Sequence, residues 1–240
     1  MKRLVFNMLL VALLLSNSYS LWAQPAPGVY LGGDPENQTQ IHEVKVSENY
    51  LIHSEYYNGR VIGKFVSTIG GFYTADKDSL HVKLEFNSNY ANDSLRTKKY
   101  AYQMYGDTLI LNENKIMVLN PVQAKEQDLD GTWLFATRGP DTGQERRGDE
   151  SARKTLKFLK DGYFQWIAYN TATMRFSGTG GGMYTAKDGK YSEIIQYFSR
   201  DNSRVGAVLD FNYEISRADW HHTGKNSKGE PMYEIWARRE

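Results

Sequence analysis

No cysteine occurs in the 240-residue chain, so it has no disulfide framework, no paired-cysteine metal site and no thiol to carry a lipid anchor. Prolines number only six, which excludes collagen-like and proline-rich disordered classes. The five histidines form no His-x-His or His-Glu-x-x-His motif. His221 and His222 are adjacent, so in a strand they point to opposite faces and do not readily share a metal. No metal and no cofactor is therefore expected. The formal charge is +1, and −1 without Lys2 and Arg3, so nothing steers the chain toward nucleic acid or an anionic membrane.

Long apolar runs are scarce as well. Leu4 to Leu15, broken by Asn7, is too short to span a bilayer, which takes about 20 residues. It follows the basic start Met1-Lys2-Arg3 and precedes a small or polar stretch, Ser16 to Ala23. That order is the pattern of a secretory signal peptide, expected over residues 1–23 with cleavage after Ala23 or Ser20. The mature protein is then expected to be periplasmic or secreted, with no stable membrane anchor.

Aromatic residues are plentiful: 17 Tyr, 10 Phe and 5 Trp, an excess that favours strands. They also reveal a repeat. Gly70-Gly71-Phe72-Tyr73-Thr74-Ala75 returns as Gly181-Gly182-Met183-Tyr184-Thr185-Ala186, at an offset of 111. The same offset pairs Phe65 with Phe176, Thr68 with Thr179 and Tyr102 with Tyr213. Two units follow, over 24–120 and 130–240, joined by a linker over 121–129 that is either a short helix or extended. Neither unit is strongly basic or acidic.

Within the second unit, strand-length aromatic and apolar runs alternate with turn signals. Eight strands are expected, near 131–135, 155–159, 163–169, 175–185, 190–199, 205–215, 219–222 and 232–238. Asp161-Gly162 and Asp188-Gly189 suit type I′ hairpin turns, which need positive φ at both residues. In the first unit Glu48-Asn49 and Gly106-Asp107 stand where turns belong. The fold class is thus all-β: two tandem up-and-down antiparallel β-barrels after a signal peptide, with a sandwich as the alternative. The polar stretch Arg138 to Arg153 is either a lid over the second barrel or a solvated loop. Glycines 178–182 feed strand-like residues, so they suit a sharp bend or close backbone crossing better than a phosphate loop.

Gly131-Thr132-Trp133, a long first loop, the eight-strand meander and Arg238-Arg239 after the last strand resemble the lipocalin or calycin plan. Phe164-Gln165-Trp166, Gly178 to Thr185, Tyr191-Ser192-Glu193 and Trp220-His221-His222-Thr223-Gly224 resemble a family of secreted lipocalin-like domains of Gram-negative bacteria. The resemblance implies that Trp133 closes the barrel bottom with a late arginine over its ring. Val29-Tyr30 replaces Thr-Trp in the first unit, which leaves open whether both barrels hold the same thing.

Strand alternation puts Tyr191, Glu193, Ile195 and Tyr197 on one face, and Trp220 with His222 on one face opposite His221. At the repeat offset, Glu193 corresponds to Val82, Trp220 to Leu109 and His221 to Ile110. Four tryptophans, Trp133, Trp166, Trp220 and Trp236, lie in the second unit. The leading expectation is a binding protein for a small, partly apolar ligand, lipid-like or sugar-like, held in the second barrel. Its ligand-binding residues would be Trp166, Tyr184, Glu193, Tyr197, Trp220 and His222. The alternatives are a cell-envelope interaction module with filled cores, or an enzyme using Glu193 with His221 or His222. No oligomeric state is indicated.

Overall fold

A computed structural model describes residues 24–58, 63–226 and 228–239; the expected signal peptide lies outside them. The chain forms two closed eight-strand antiparallel barrels in tandem. The first comprises β1 (Gly28–Gly33), β2 (Gln40–Val46), β3 (Tyr50–Tyr57), β4 (Lys64–Ala75), β5 (Ser79–Asn87), β6 (Thr97–Tyr105), β7 (Thr108–Asn112) and β8 (Ile116–Pro121). The second comprises β9 (Gly131–Arg138), β10 (Arg153–Lys160), β11 (Tyr163–Asn170), β12 (Arg175–Lys187), β13 (Lys190–Phe198), β14 (Val208–Ser216), β15 (Asp219–Lys225) and β16 (Pro231–Arg238). One short helix, α1 (Tyr90–Asp93), joins β5 to β6. Among the described residues no helix is long and apolar enough to cross a membrane.

Turn chemistry explains most of the meander. Asp161 and Gly162 have φ of 52° and 80°, Asp188 and Gly189 52° and 74°, as type I′ turns demand. Gly106 takes positive φ alone, so its hairpin is of the II′ kind. Arg217 and Ala218 also adopt positive φ, 52° and 67°, between β14 and β15, with no glycine, Asn or Asp to ease them. The sixth strand of the second barrel starts at Val208 instead of Val205, because Asn202–Arg204 form a 3-10 turn capped by the Asp201 side chain.

Equivalent bulges interrupt β4–β5 at Gly70/Gly71 and β12–β13 at Gly181/Gly182. A Cβ on Gly182 would collide with the Ile194 carbonyl oxygen, so the glycines serve a close backbone crossing. The bulge also reverses the alternation beyond it. Ile195 pairs with Gly182 and Tyr197 with Gly181, leaving Gln196 unpaired between them. Tyr197 therefore leaves the interior face that Tyr191, Glu193 and Ile195 share, correcting the placement expected from simple alternation.

The two cores differ in character. The first is mainly aliphatic, with Val44, Val46, Leu51, Val82, Leu109, Leu111 and Leu119 buried together. In the second, Trp133, Trp220 and Trp236 pack with Phe164, Tyr184 and Tyr191. Residues 122–127 form neither helix nor strand, and 128–129 make a turn closed by Asp130 N–H on the Gln127 carbonyl. Leu129 is fully buried beneath the second core, its carbonyl accepting a hydrogen bond from Trp133 Nε1 at 2.9 Å. Arg238, the last residue of β16, lies 4.1 Å over the Trp133 ring, the seal the lipocalin plan implies.

The barrels meet along a buried seam. Tyr50, Ile52 and Phe86 of the first pack against Leu156, Phe158, Ile167 and Tyr169 of the second. Register makes Phe86 equivalent to Tyr197 and Tyr56 equivalent to Tyr169, since each pair opposes repeat-related partners on β4 or β12. Phe86 packs against Tyr169 with its ring tilted, centroids 5.1 Å apart, Tyr197 stacks on Tyr56 at 4.6 Å, and Phe65 lies almost parallel to its own equivalent, Phe176. Contacts that recur with the barrels exchanged define an isologous, pseudo-two-fold interface. At its centre Gln165 donates to both Thr68 and Thr179 at 3.1 Å and accepts from Ser54 at 3.0 Å. Glu43 and Lys45, fully buried, pair with each other here, and Tyr197 donates to Glu43 at 3.1 Å. Burial draws the Lys45 ammonium below its ordinary value despite that carboxylate. Arg239 crosses the seam to grip both oxygens of Glu85 at 2.8 Å.

Candidate functional site

The second barrel places five of the six residues expected to hold a ligand in or at the rim of its core. Trp220 and His222 share the interior, with ring centroids 5.0 Å apart, and His221 lies opposite, bonded to the Tyr233 hydroxyl. Trp166 packs on Phe198 beside that core. Tyr184 donates to the Asp130 carboxylate at the lower end. Glu193 is buried and accepts from Tyr191 Oη at 2.6 Å and from Lys157 Nζ at 2.9 Å. Tyr197, as described, faces the other barrel.

Lys157 changes the meaning of this cluster. Its ammonium lies 4.8 Å from the Trp220 ring centroid, 4.9 Å from Tyr191 and 5.2 Å from Trp236, inside cation–π range of all three. An aromatic cage with a carboxylate is thus filled by the protein's own cation. The acid–base pair considered from sequence is not assembled either: among the described residues neither ring nitrogen of His222 is within hydrogen-bond distance of a partner, the carboxylate facing Nδ1 at 3.6 Å is that of Glu234, and Glu193 is bonded to Lys157 and Tyr191. Burial, and Lys157 beyond it, hold His222 below its ordinary pKa, against the pull of Glu234. The long loop is fastened down: Arg147 N–H donates to Ala136, its guanidinium lies 4.2 Å over Phe135, and Arg146 pairs with Asp141 and Asp219.

The first barrel has an open mouth. A cavity of about 540 Å³ lies there, under α1 and against the start of β12. His53, Glu55, Lys98, Tyr100 and Glu113 supply its polar wall, and Ile69, Leu84, Phe65 and Phe176 much of its apolar surface. The β2–β3 hairpin, turning at Glu48-Asn49, sets His42 directly opposite Glu55, and His53 and Glu55 share the inward face of β3.

A chain of hydrogen bonds runs along this wall. Asp34 Oδ2 lies 3.1 Å from His42 Nε2, His42 Nδ1 lies 3.0 Å from His53 Nε2, and His53 Nδ1 lies 3.1 Å from Tyr100 Oη. With Asp34 ionised, the consistent assignment has His42 donating through Nε2, His53 donating through Nε2 to His42, and Tyr100 donating to His53. The Lys115 ammonium beside Asp34, opposed by burial and aided by His42, holds that carboxyl well below the usual range. Burial, with His42 and Lys98, pulls His53 down to about 3, so it is neutral at pH 7. Glu55 is half-buried and accepts from Gln40 Nε2 at 2.9 Å.

None of this wall recurs in the second barrel. Register puts Thr155, Trp166 and Ala168 where His42, His53 and Glu55 stand. Sequence reasoning sought motifs within one segment and so passed over a site assembled across a hairpin. The signal was present: a turn centred on Glu48-Asn49 pairs positions equidistant from it, which places His42 opposite Glu55. No family model matches the chain, and no curated protein matches it.

Proposed function

We propose that this is an extracytoplasmic binding protein whose ligand site is the mouth of the first barrel, with the second barrel as its rigid partner and outer wall. The single observation that carries the reading is the 540 Å³ cavity, with a polar wall facing apolar side chains. Its size lies within the range of small-molecule sites, roughly 300–1,000 Å³. The lining suits a small ligand with one polar, oxygen- or nitrogen-bearing end and one apolar end. Assignment to the first barrel replaces the second-barrel site expected from the tryptophans, because Lys157 fills the cage those rings make. The extracytoplasmic placement is supported by the signal-peptide pattern over residues 1–23.

Native mass spectrometry of protein purified without detergent, followed by a small-molecule thermal-shift screen, tests the reading. Ser67→Phe, which narrows the cavity, should abolish binding of any hit, and Lys157→Met should leave it. Hits that survive Ser67→Phe and vanish with Lys157→Met would return the site to the second barrel.

A further inference from the structure

Resting on the reading of the first-barrel mouth as the ligand site, we infer that His42, His53 and Glu55 bind one divalent first-row transition ion there, with open coordination positions toward the cavity. One donor atom from each of the three residues lies within 4.8 Å of the others. Ligands held about 2.0–2.2 Å from a common ion lie roughly 3.3–3.6 Å apart at tetrahedral angles, so His42 Nδ1 and His53 Nε2, 3.0 Å apart, need to part by only about half an ångström to reach that spacing. Two imidazoles and one carboxylate suit zinc or ferrous iron, whereas magnesium and calcium prefer all-oxygen shells.

The outer supports strengthen the assignment. A ligating histidine commonly uses its second ring nitrogen on a carboxylate or other oxygen, which fixes its orientation. His42 does so with Asp34 and His53 with Tyr100. Asp34 is in turn held by Lys115, so the support is itself anchored. The backbone contributes rigidity: all three donors project from one hairpin of a closed barrel, with β2 and β3 paired over seven residue pairs.

Proton bookkeeping is simple. Without an ion, the His53 Nε2 proton sits in the hydrogen bond to His42 Nδ1. On binding, that proton is carried by Nδ1 of the same ring, and the Tyr100 hydroxyl turns from donor to acceptor. Both Nδ1 of His42 and Nε2 of His53 then present lone pairs to the ion, and no proton is released. An oxygen donor on the ligand would complete the coordination from the cavity side, which names the ligand class: small molecules with a carboxylate or similar chelating oxygen.

The test is titration of the chelator-treated full chain with Zn²⁺ by calorimetry and with Co²⁺ by its visible d–d absorption. One equivalent should bind saturably. Glu55→Gln and Asp34→Asn, both checked for native circular dichroism, should weaken binding about 10–100-fold, and Lys157→Met should not change it. These two variants keep the test valid if His42 or His53 substitutions fail to fold. Absence of saturable binding of either ion, or binding undiminished in Glu55→Gln and Asp34→Asn, overturns the inference. A small molecule that binds the metal-free mouth would in that event leave the cavity reading intact. Conversely, one ion bound with no small molecule held would preserve the metal site and sink the cavity reading.

Discussion

Lys157→Met offers the sharpest test of how the second barrel is held together. Lys157 and Glu193 are both almost wholly buried, at 7% and 5% side-chain exposure, and 2.9 Å apart. Methionine keeps the length and bulk of the lysine stem and removes only the charge, leaving Glu193 with the Tyr191 hydroxyl alone. Removing one partner of a buried pair costs about 3–5 kcal/mol, chiefly because the other charge stays desolvated. Glu193→Gln should cost a similar amount by stranding the ammonium, softened by the three rings around it, each contributing roughly 0.5–2 kcal/mol. The double variant removes both charges and should recover to within about 2 kcal/mol of the parent. The expected coupling is therefore several kcal/mol, well above the roughly 0.5 kcal/mol scatter of independent sites. Urea unfolding followed by tryptophan fluorescence reads this locally, since Trp133, Trp166, Trp220 and Trp236 all belong to the second barrel. Additive single losses, or a Lys157→Met variant within 0.5 kcal/mol of the parent by the same criterion, would refute the caged-cation description.

Two further outcomes are expected. Burial pushes Glu85 up, but the Arg239 guanidinium overcomes it, so its folded pKa is lowered. That contribution is complete above the ordinary glutamate value of about 4.3 and is lost as pH falls through the lowered one. Melting temperatures from pH 7 to pH 3 should accordingly fall less steeply in Arg239→Ala, which at neutral pH should itself cost about 2–3 kcal/mol, less than a wholly buried pair. Ala218→Gly relieves a positive-φ alanine in an exposed hairpin turn and should stabilise the protein by about 1 kcal/mol in denaturant unfolding, against a loss for the same change in a strand.

Much of the architecture could be read from local chemistry. The repeated Gly-Gly-x-Tyr-Thr-Ala segment marks two barrels because it builds the same bulge twice, and Asp-Gly pairs mark turns because their backbone demands are severe. What escaped was set by tertiary context. On β10, Leu156 and Phe158 point outward and Lys157 inward, the inverse of the usual pattern, because the outer face of this strand is covered by the first barrel. Glu43 and Lys45 lie buried on an outer face for the same reason. Tyr197 changed faces because one unpaired residue, Gln196, shifts the phase of everything after it. The Arg217-Ala218 turn has no sequence signature, being fixed by the strands on either side. The first-barrel wall depends on hairpin register, which a search for contiguous motifs does not use.

The seam between the barrels also imposes an order of events on folding. Every group of the first barrel that faces the seam, Tyr50, Ile52, Phe86 and the Glu43–Lys45 pair among them, precedes all of its partners in the chain. During synthesis the first barrel can close while this face still meets solvent, an apolar surface with an ion pair awaiting its polar cover. Gln165 arrives midway and Arg239 only after the sixteenth strand is complete. The last contact to form is thus the one that reports a finished second barrel. Until then the exposed face is a site for off-pathway association, and its most accessible wrong partner is the matching face of another copy, to which an isologous surface is already shaped.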